Sequence, residues 1–415
     1  MSSRVWQGLC VMSLIASSGA AWAVEPVGAD KFNVSTQIDL FKLDRSNFAD
    51  VVTPVAKTET SSELVFYDFA DNFCDMLAEK AAAFTKDTGI PVKHVCVEGD
   101  AATQQVIAAK QAGQPAPVDV FFGPNGQVRA MTMAGAVANI PLVDLVPNAS
   151  KLDDAAARRS RGFEHGGTVL PFHRNQTSLA YNSALIKEPP QTIQAVFELA
   201  AAQNFKVAIT NPTEGGSGSG FLESLMLAMS PDCKDDLYNF SIDEAQAKAT
   251  AARCMAPVMK YLSAQKDHIT YTNGNTESLQ ALADGVVPIA TVWEDDLYSQ
   301  AAKGLMPQTI KPFLLQTGEV GDGDGVLITA STTKPEASLL FVNYLMSDDV
   351  QIAKMEEKGS RTARLDLPFT NKIPDKLAKF LVPEDEYRSR TRPRINGLIT
   401  DAAADLFAKE VVAMQ

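Results

Sequence analysis

The sequence predicts an α/β protein of two lobes, each a mainly parallel sheet flanked by helices. Three observations carry this. From Glu63 onward, short apolar runs alternate with helical stretches, and that order places a parallel sheet between two helical layers. The chain has 415 residues, and the roughly 390 left after removal of a leader are too many for one hydrophobic core. Several apolar runs also end in glycine- or acid-rich segments that open a helix, which is where such sheets bind ligands.

Residues 1–23 have the form of a secretory signal. Arg4 supplies the positive end, Leu9 to Ala16 the apolar stretch and Ala21-Trp22-Ala23 the cleavage site. The apolar stretch is too short to span a membrane, and no later run of about 18 apolar residues follows. An exported, periplasmic protein starting near Val24 is therefore expected. Residues 24–61 read as an N-terminal extension, in which Phe32 to Phe41 alternates enough to add a strand to a lobe. Residues 62–174 and 326–415 are assigned to lobe one, and 175–325 to lobe two.

In lobe one, Leu64 to Tyr67 is a strand and Asp68 to Asn72 the loop after it. Phe73 to Thr88 is a helix stopped by Gly89, Val92 to Val97 a second strand and Ala101 to Ala112 a second helix. Val118 to Phe122 is a third strand. It ends in Gly123-Pro124-Asn125 before a helix over 127–134. Val169 to Phe172 and Ser178 to Asn182 are extended pieces around the polar bend His173-Arg174-Asn175-Gln176. A helix over 192–203 follows.

The stretch ITNPTEGGSGSGFLESLM, 209–226, reads as a strand end, a turn, a glycine-rich loop and a helix start. Pro212 ends the strand, and Gly215 to Gly220 let the backbone approach a ligand. The helix N-terminus offers unpaired N–H groups and partial positive charge to an anion or polar ligand end. The stretch is not a P-loop, a GxGxxG turn or a GxSxG elbow. Further on come a long helix over 243–263 and a buried strand over 287–292 that ends in Trp293-Glu294-Asp295-Asp296. Strands over 311–315 and 325–329 follow, separated by a GEVGDGDG loop, and then a helix over 335–346.

The net charge is −13, one unit more negative without Arg4, which argues against nucleic acid and anionic lipid partners. Four cysteines remain after the leader: Cys74, Cys96, Cys233 and Cys254. They allow three pairings. Pairing within lobes, Cys74–Cys96 and Cys233–Cys254, is expected, with each bridge worth about 3 kcal/mol. His94, His165, His173 and His268 are scattered, so no metal site and no cofactor are expected.

Taken in order, VDVFFGPN, VLPFHRNQTSLAYN, ITNPTEGGSGSGFLESL, VPIATVWEDDLY, GVLITAST and KPEASLLFVNYLMSDDVQ resemble an extracellular solute-binding protein of an ABC importer. The resemblance is to the type II, two-lobed kind, in the branch of iron, thiamine, polyamine and aminophosphonate binders, and covers about 62–365. It implies a periplasmic-binding-protein type II fold with a ligand cleft between the lobes, a small-molecule ligand, a membrane permease as partner, a monomer and no catalysis. Lobe closure is implied around crossings near Pro171–Leu179 and Gln316–Leu327. The adjacent tyrosines used by iron binders are absent here. The resemblance places Tyr67, Asp68, Asp71, Asn125, Arg174, Asn175, Thr213, Ser217, Gly218, Ser219, Trp293, Glu294 and Asp295 around the ligand.

Two ligand chemistries fit that set. Tyr67 and Trp293 with Asp68, Glu294 and Asp295 suit a cationic organic solute, of the thiamine or polyamine kind. The Gly-Ser stretch with Arg174 suits a phosphonate or phosphate ester. A third reading, an exported enzyme, finds no nucleophile–base pair or metalloprotease motif in the sequence.

Overall fold

A computed structural model describes residues 32–412 except 71–72, 124, 153–156, 161 and 368–372, so the expected leader lies outside the described residues. The extension contributes helix α1 (Phe48–Ala56). Lobe one follows with β1 (Leu64–Asp68), α2 (Cys74–Thr88), β2 (Val92–Cys96), α3 (Gly99–Gln111), β3 (Val120–Gly123), α4 (Asn125–Met133) and β4 (Val169–Pro171). Lobe two runs through β5 (Asn175–Asn182), α5 (Ile193–Gln203), β6 (Val207–Thr210), α6 (Gly216–Met229) and α7 (Glu244–Ala264). It continues with β7 (Ile269–Thr272), α8 (Asn275–Ala283), β8 (Ile289–Trp293), α9 (Glu294–Ala302), β9 (Ile310–Phe313) and β10 (Glu319–Asp322). The chain returns to lobe one as β11 (Gly325–Ile328), α10 (Pro335–Leu345) and α11 (Asp348–Lys358). It ends in α12 (Glu384–Arg390), the short strand β12 (Thr391–Arg392) and α13 (Gly397–Glu410).

The first sheet has the order β2-β1-β3-β11-β4. Strands β1, β2 and β3 are parallel, and β11 is antiparallel to both its neighbours. The second has the order β12-β10-β5-β8-β6-β7, with β9 also paired to β5. Here β6, β7 and β8 are parallel and β5 runs against them. Successive strand residues point to opposite faces, so each sheet carries two cores. In lobe one Phe122 joins Phe66, Leu170 and Phe341 on one face, while Phe121 joins Val106, Met131 and Leu327 on the other. In lobe two Leu179 and Ile209 pack with Phe221 and Met255, and Ala180 and Ala208 pack with Val292 and Tyr298.

Four features differ from the sequence reading. The expected strand within 32–41 does not form. Ile38 and Leu40 are buried in the lobe-one core, and the N–H groups of Gln37 and Ile38 donate to the Glu336 carboxylate instead of to a sheet. Helix α6 starts at Gly216, so the glycine-rich stretch is helix rather than loop. Glycine is needed there because the helix lies against the sheet. A Cβ on Gly216 would stand 2.9 Å from the Trp293 ring, and one on Gly220 2.5 Å from the Thr177 hydroxyl. Glu319–Asp322, inside the expected GEVGDGDG loop, is a strand because it finds Asn175 and Gln176 to pair with.

The fourth difference concerns 326–415, which was expected to stay with lobe one. Its last part crosses to lobe two: Thr391 and Arg392 extend the second sheet beside β10, and Ile395, Ile399, Ala403 and Phe407 enter the lobe-two core. Ile399, Ala403 and Phe407 recur every four residues on α13, with Ile395 just before it, and make one stripe that α7 covers.

Both expected disulfides are present, Cys74–Cys96 in lobe one and Cys233–Cys254 in lobe two, each with Cα atoms 6.0 Å apart. Converting Cys233 and Cys254 together to serine should lower unfolding free energy by about 3 kcal/mol in urea titration. An unchanged midpoint would show that the bridge adds nothing to the buried packing around it.

Candidate functional site

The strand registers bring the two sheets together at one place. The chain leaves lobe one at Phe172, just past the end of β4, and β4 runs in the same direction as β3. It enters lobe two at Asn175, and Thr177 lies opposite Trp293, the last residue of β8. The return passage, Gly323-Asp324, leads into Gly325, which lies opposite Gly123, the last residue of β3. The C-terminal ends of β1–β3 and of β6–β8 therefore both open at the crossings, facing each other across them. The two crossings are joined: the N–H of Phe172 donates to the Asp324 carbonyl at 3.0 Å, and the N–H of Asp324 donates to His173 Nδ1 at 3.2 Å. Arg361 adds a third strand to this hinge, exchanging backbone hydrogen bonds with Arg174 at 2.8 and 3.1 Å. Sequence reading missed this third link, since Arg361 lies in an irregular segment after α11.

On the lobe-two rim, three helices begin side by side: α6, α8 and α9. Ser217 is buried in the first turn of α6. Its N–H and hydroxyl donate to Asn275 Oδ1 at 3.1 and 2.8 Å, and its hydroxyl also reaches Thr210. Thr210, Ser278, Thr272 and Thr291 extend this into a buried hydroxyl network that ties β6, β7 and β8 to the helix starts. The N–H groups of Gly218 and Ser219 are turned to the Gly215 carbonyl. The expectation that Ser217, Gly218 and Ser219 offer unpaired donors to a ligand is thus corrected, because Asn275, the first residue of α8, and the Gly215 carbonyl take those N–H groups. Asn275 was not foreseen, although its own segment, ITYTNGNTE, repeats the strand–turn–helix form of the stretch at 209. Thr213 is exposed on the turn before α6, its hydroxyl bonded to Asn211. Trp293 is half-buried, with its ring against Gly216 and the Arg394 guanidinium 5.9 Å from the ring centroid. Arg394 is in turn held by a two-pronged pair with Glu223.

The two acids after Trp293 turn inward. Glu294 is buried and takes both its hydrogen-bonded positions from Arg361, at 2.9 Å each, plus the Val382 N–H. Arg361 also reaches Glu384 at 2.6 Å and lies 3.8 Å from the Tyr387 ring centroid. Asp295 is buried beside Lys354, and burial first, then the charges of Asp296 and Glu294, hold its carboxyl well above the usual range. Lys354 donates to the Phe172 and Arg361 carbonyls at 2.6 and 3.0 Å, stitching the hinge from within, and burial pulls its pKa far down. Glu294 and Asp295 are therefore parts of the hinge and not open counter-charges for a ligand.

On the lobe-one rim, Tyr67 packs edge-on to Phe121 with ring centroids 6.4 Å apart, on the α3–α4 face of the sheet. Asp68 is buried at the end of β1. It accepts from the Ala70 N–H at 2.9 Å and lies 3.4 Å from His94 Nε2. Asp71 lies outside the described residues, and of Asn125 only its place at the start of α4 is described. Phe69, Val97, Glu98, Asp100 and Gln127 line a concavity of about 500 Å³ at this edge. At the crossing, Arg174 and His173 line a cavity of about 10 Å³ with Asp322, room for one water. Asn175 is half-buried at the start of β5. Burial pulls His173 down to about 3, so it is neutral under ordinary conditions. Among the described residues Arg174 forms no ion pair, and one group of donors, Cys74, His94 and Cys96, is close enough to hold a metal.

Next to the hinge, Glu319 is wholly buried and burial pushes its carboxyl up to about 8. One oxygen accepts from the Leu315 N–H and the other has no partner among the described residues. The folded chain thus holds a proton that the unfolded chain releases near pH 4.5, and the stability present below 4.5 is lost as pH rises to about 8. Glu319→Gln should gain on the wild type across that window, by a few kcal/mol at its upper end. Urea titrations at several pH values measure this, and a gap that stays flat with pH rejects the assignment.

A family model described as bacterial extracellular solute-binding protein matches residues 79–379. Protein YnjB of Escherichia coli (strain K12) is 26% identical over 196 residues, 46% of this chain and 49% of that protein, so the alignment spans about half the length of that curated relative. A solute-binding protein structure from Bordetella parapertussis, described as putative in its title, superposes with a TM-score of 0.63 at 17% identity, over 85% of this chain and 99% of that one. A structure titled as a spermidine/putrescine ABC transporter from Listeria monocytogenes gives 0.57 at 16%, over 86% and 100%. One titled as a periplasmic thiamin binding protein gives 0.54 at 16%, over 86% and 98%. These structural likenesses establish the two-lobed periplasmic-binding-protein fold. Among the described residues no helix is long and apolar enough to cross a membrane.

Proposed function

Because this chain belongs to the bacterial extracellular solute-binding proteins, we propose that it captures a small cationic organic solute between its lobes and delivers it to an ABC importer permease. The observation that supports this most is the meeting of both sets of parallel strand ends at the crossings, with Trp293 half-buried on one rim. The cationic preference rests on the exposed acids of the rims. Glu98 and Asp100 line the lobe-one concavity, and Glu214 and Glu277 are exposed beside the starts of α6 and α8. These replace Glu294 and Asp295 in that role. An anionic solute is the second reading, favoured by Arg174 at the crossing.

Thermal-shift screening with polyamines, thiamine-like cations and phosphonates separates these chemistries. Asp100→Asn and Glu214→Gln should weaken a cationic ligand, and Arg174→Ala an anionic one. A ligand indifferent to all three overturns both placements. With a ligand in hand, small-angle scattering should show a smaller radius of gyration on saturation, because the lobes close about the joined crossings. An unchanged radius would count against closure.

A further inference from the structure

The two disulfides sit in different surroundings. Cys233–Cys254 is buried in the lobe-two core, where the only described polar side chain donating to it is Arg253, at 3.2 Å from Cys233 Sγ. Cys74–Cys96 lies at the rim of lobe one. Cys96 is exposed and lines the concavity there, while Cys74 opens α2 and is half-buried. His94 is two residues before Cys96 on β2, so both side chains leave the same face of the strand. The donor atoms of Cys74, His94 and Cys96 all lie within 4.8 Å of one another. Behind them, Asp68 Oδ2 stands 3.4 Å from His94 Nε2, and the Phe66 ring packs 5.4 Å from the imidazole.

We propose that in its dithiol form this rim is a binding site for a soft or borderline cation such as Zn²⁺ or Cu⁺, with Cys74, Cys96 and His94 as ligands. Two thiolates and an imidazole are the donor set these ions prefer, and three protein ligands leave one position for water or a solute group. Asp68 orients His94, as a carboxylate commonly does behind a metal-bound imidazole. Disulfide and metal exclude each other. A thiol or phosphine reductant supplies two electrons to the S–S bond, two protons complete the two thiols, and binding of the cation releases both protons. The site is thus silent while oxidised and opens, at the rim of the proposed solute cleft, when reduced.

Co²⁺ serves as a coloured stand-in for Zn²⁺ on the full chain, reduced with a phosphine that is removed under argon. The reduced protein should bind one Co²⁺ with thiolate-to-cobalt charge-transfer absorption, and the oxidised protein should not. The band should survive Cys233→Ser/Cys254→Ser and vanish in Cys74→Ser/Cys96→Ser. His94→Ala should lose the affinity, and Asp68→Asn should weaken it by about 10–100-fold. Circular dichroism run alongside reports the fold. The proposal is overturned by a folded, reduced chain that binds no cobalt, by a band that follows Cys233 and Cys254, by affinity indifferent to His94, or by a reduced chain that stays unfolded with cobalt.

Discussion

Arg361→Ala should lower the unfolding free energy by about 3–5 kcal/mol, the range for removing one partner of a buried ion pair. Arg361 is 3% exposed and its guanidinium satisfies Glu294 through two hydrogen bonds, with Glu384 and the Val382 carbonyl accepting two more. Among the described residues, its removal leaves the Glu294 carboxylate with only the Val382 N–H, and it takes the cation from the Tyr387 ring. The loss follows from stranding a charge, so replacing both partners should be far milder. Arg361→Met combined with Glu294→Leu should recover most of the stability. Urea titration followed by circular dichroism measures both variants. A single variant within about 1 kcal/mol of wild type would mean that water already reaches the pair.

Trp293→Ala should weaken capture of a confirmed ligand by about 1–3 kcal/mol, the usual loss for a stacking or hot-spot aromatic. The indole stands at the end of β8 beside the crossing, with Gly216 behind it and Arg394 to one side. A ligand that lies on the open side of this ring changes the polarity around it. In a chain that starts at Val24, Trp293 is the one tryptophan, so its emission reports this rim alone. A confirmed ligand that leaves the emission flat and binds Trp293→Ala with full affinity removes Trp293 from the site.

The fold was legible because its signals are local. Leu64 to Tyr67, Val118 to Phe122 and Val207 to Ile209 are short apolar runs, each followed by a helix start, and such a repeat admits few architectures. The lobe-local cysteine pairing was legible for the same reason. The site was legible only in outline. Trp293 stands at a strand end by the crossings, where the pattern put it, but the use of its neighbours depended on residues far away in the chain. Ser217 looked open until Asn275, 58 positions on, filled its donors. Glu294 looked like a counter-charge for a ligand until Arg361, 67 positions on, closed over it.

By itself the sequence determined the alternation of strands and helices, the two lobes, the sheet edge at which the parallel strand ends open and the family. Periodicity and turn chemistry act between near neighbours and survive without coordinates. Only the tertiary structure decided which polar groups at that edge are already partnered, and that the last helix crosses to lobe two. A carboxylate or N–H has the same formula whether it faces water or an arginine. Its availability is set by whatever the rest of the chain packs against it.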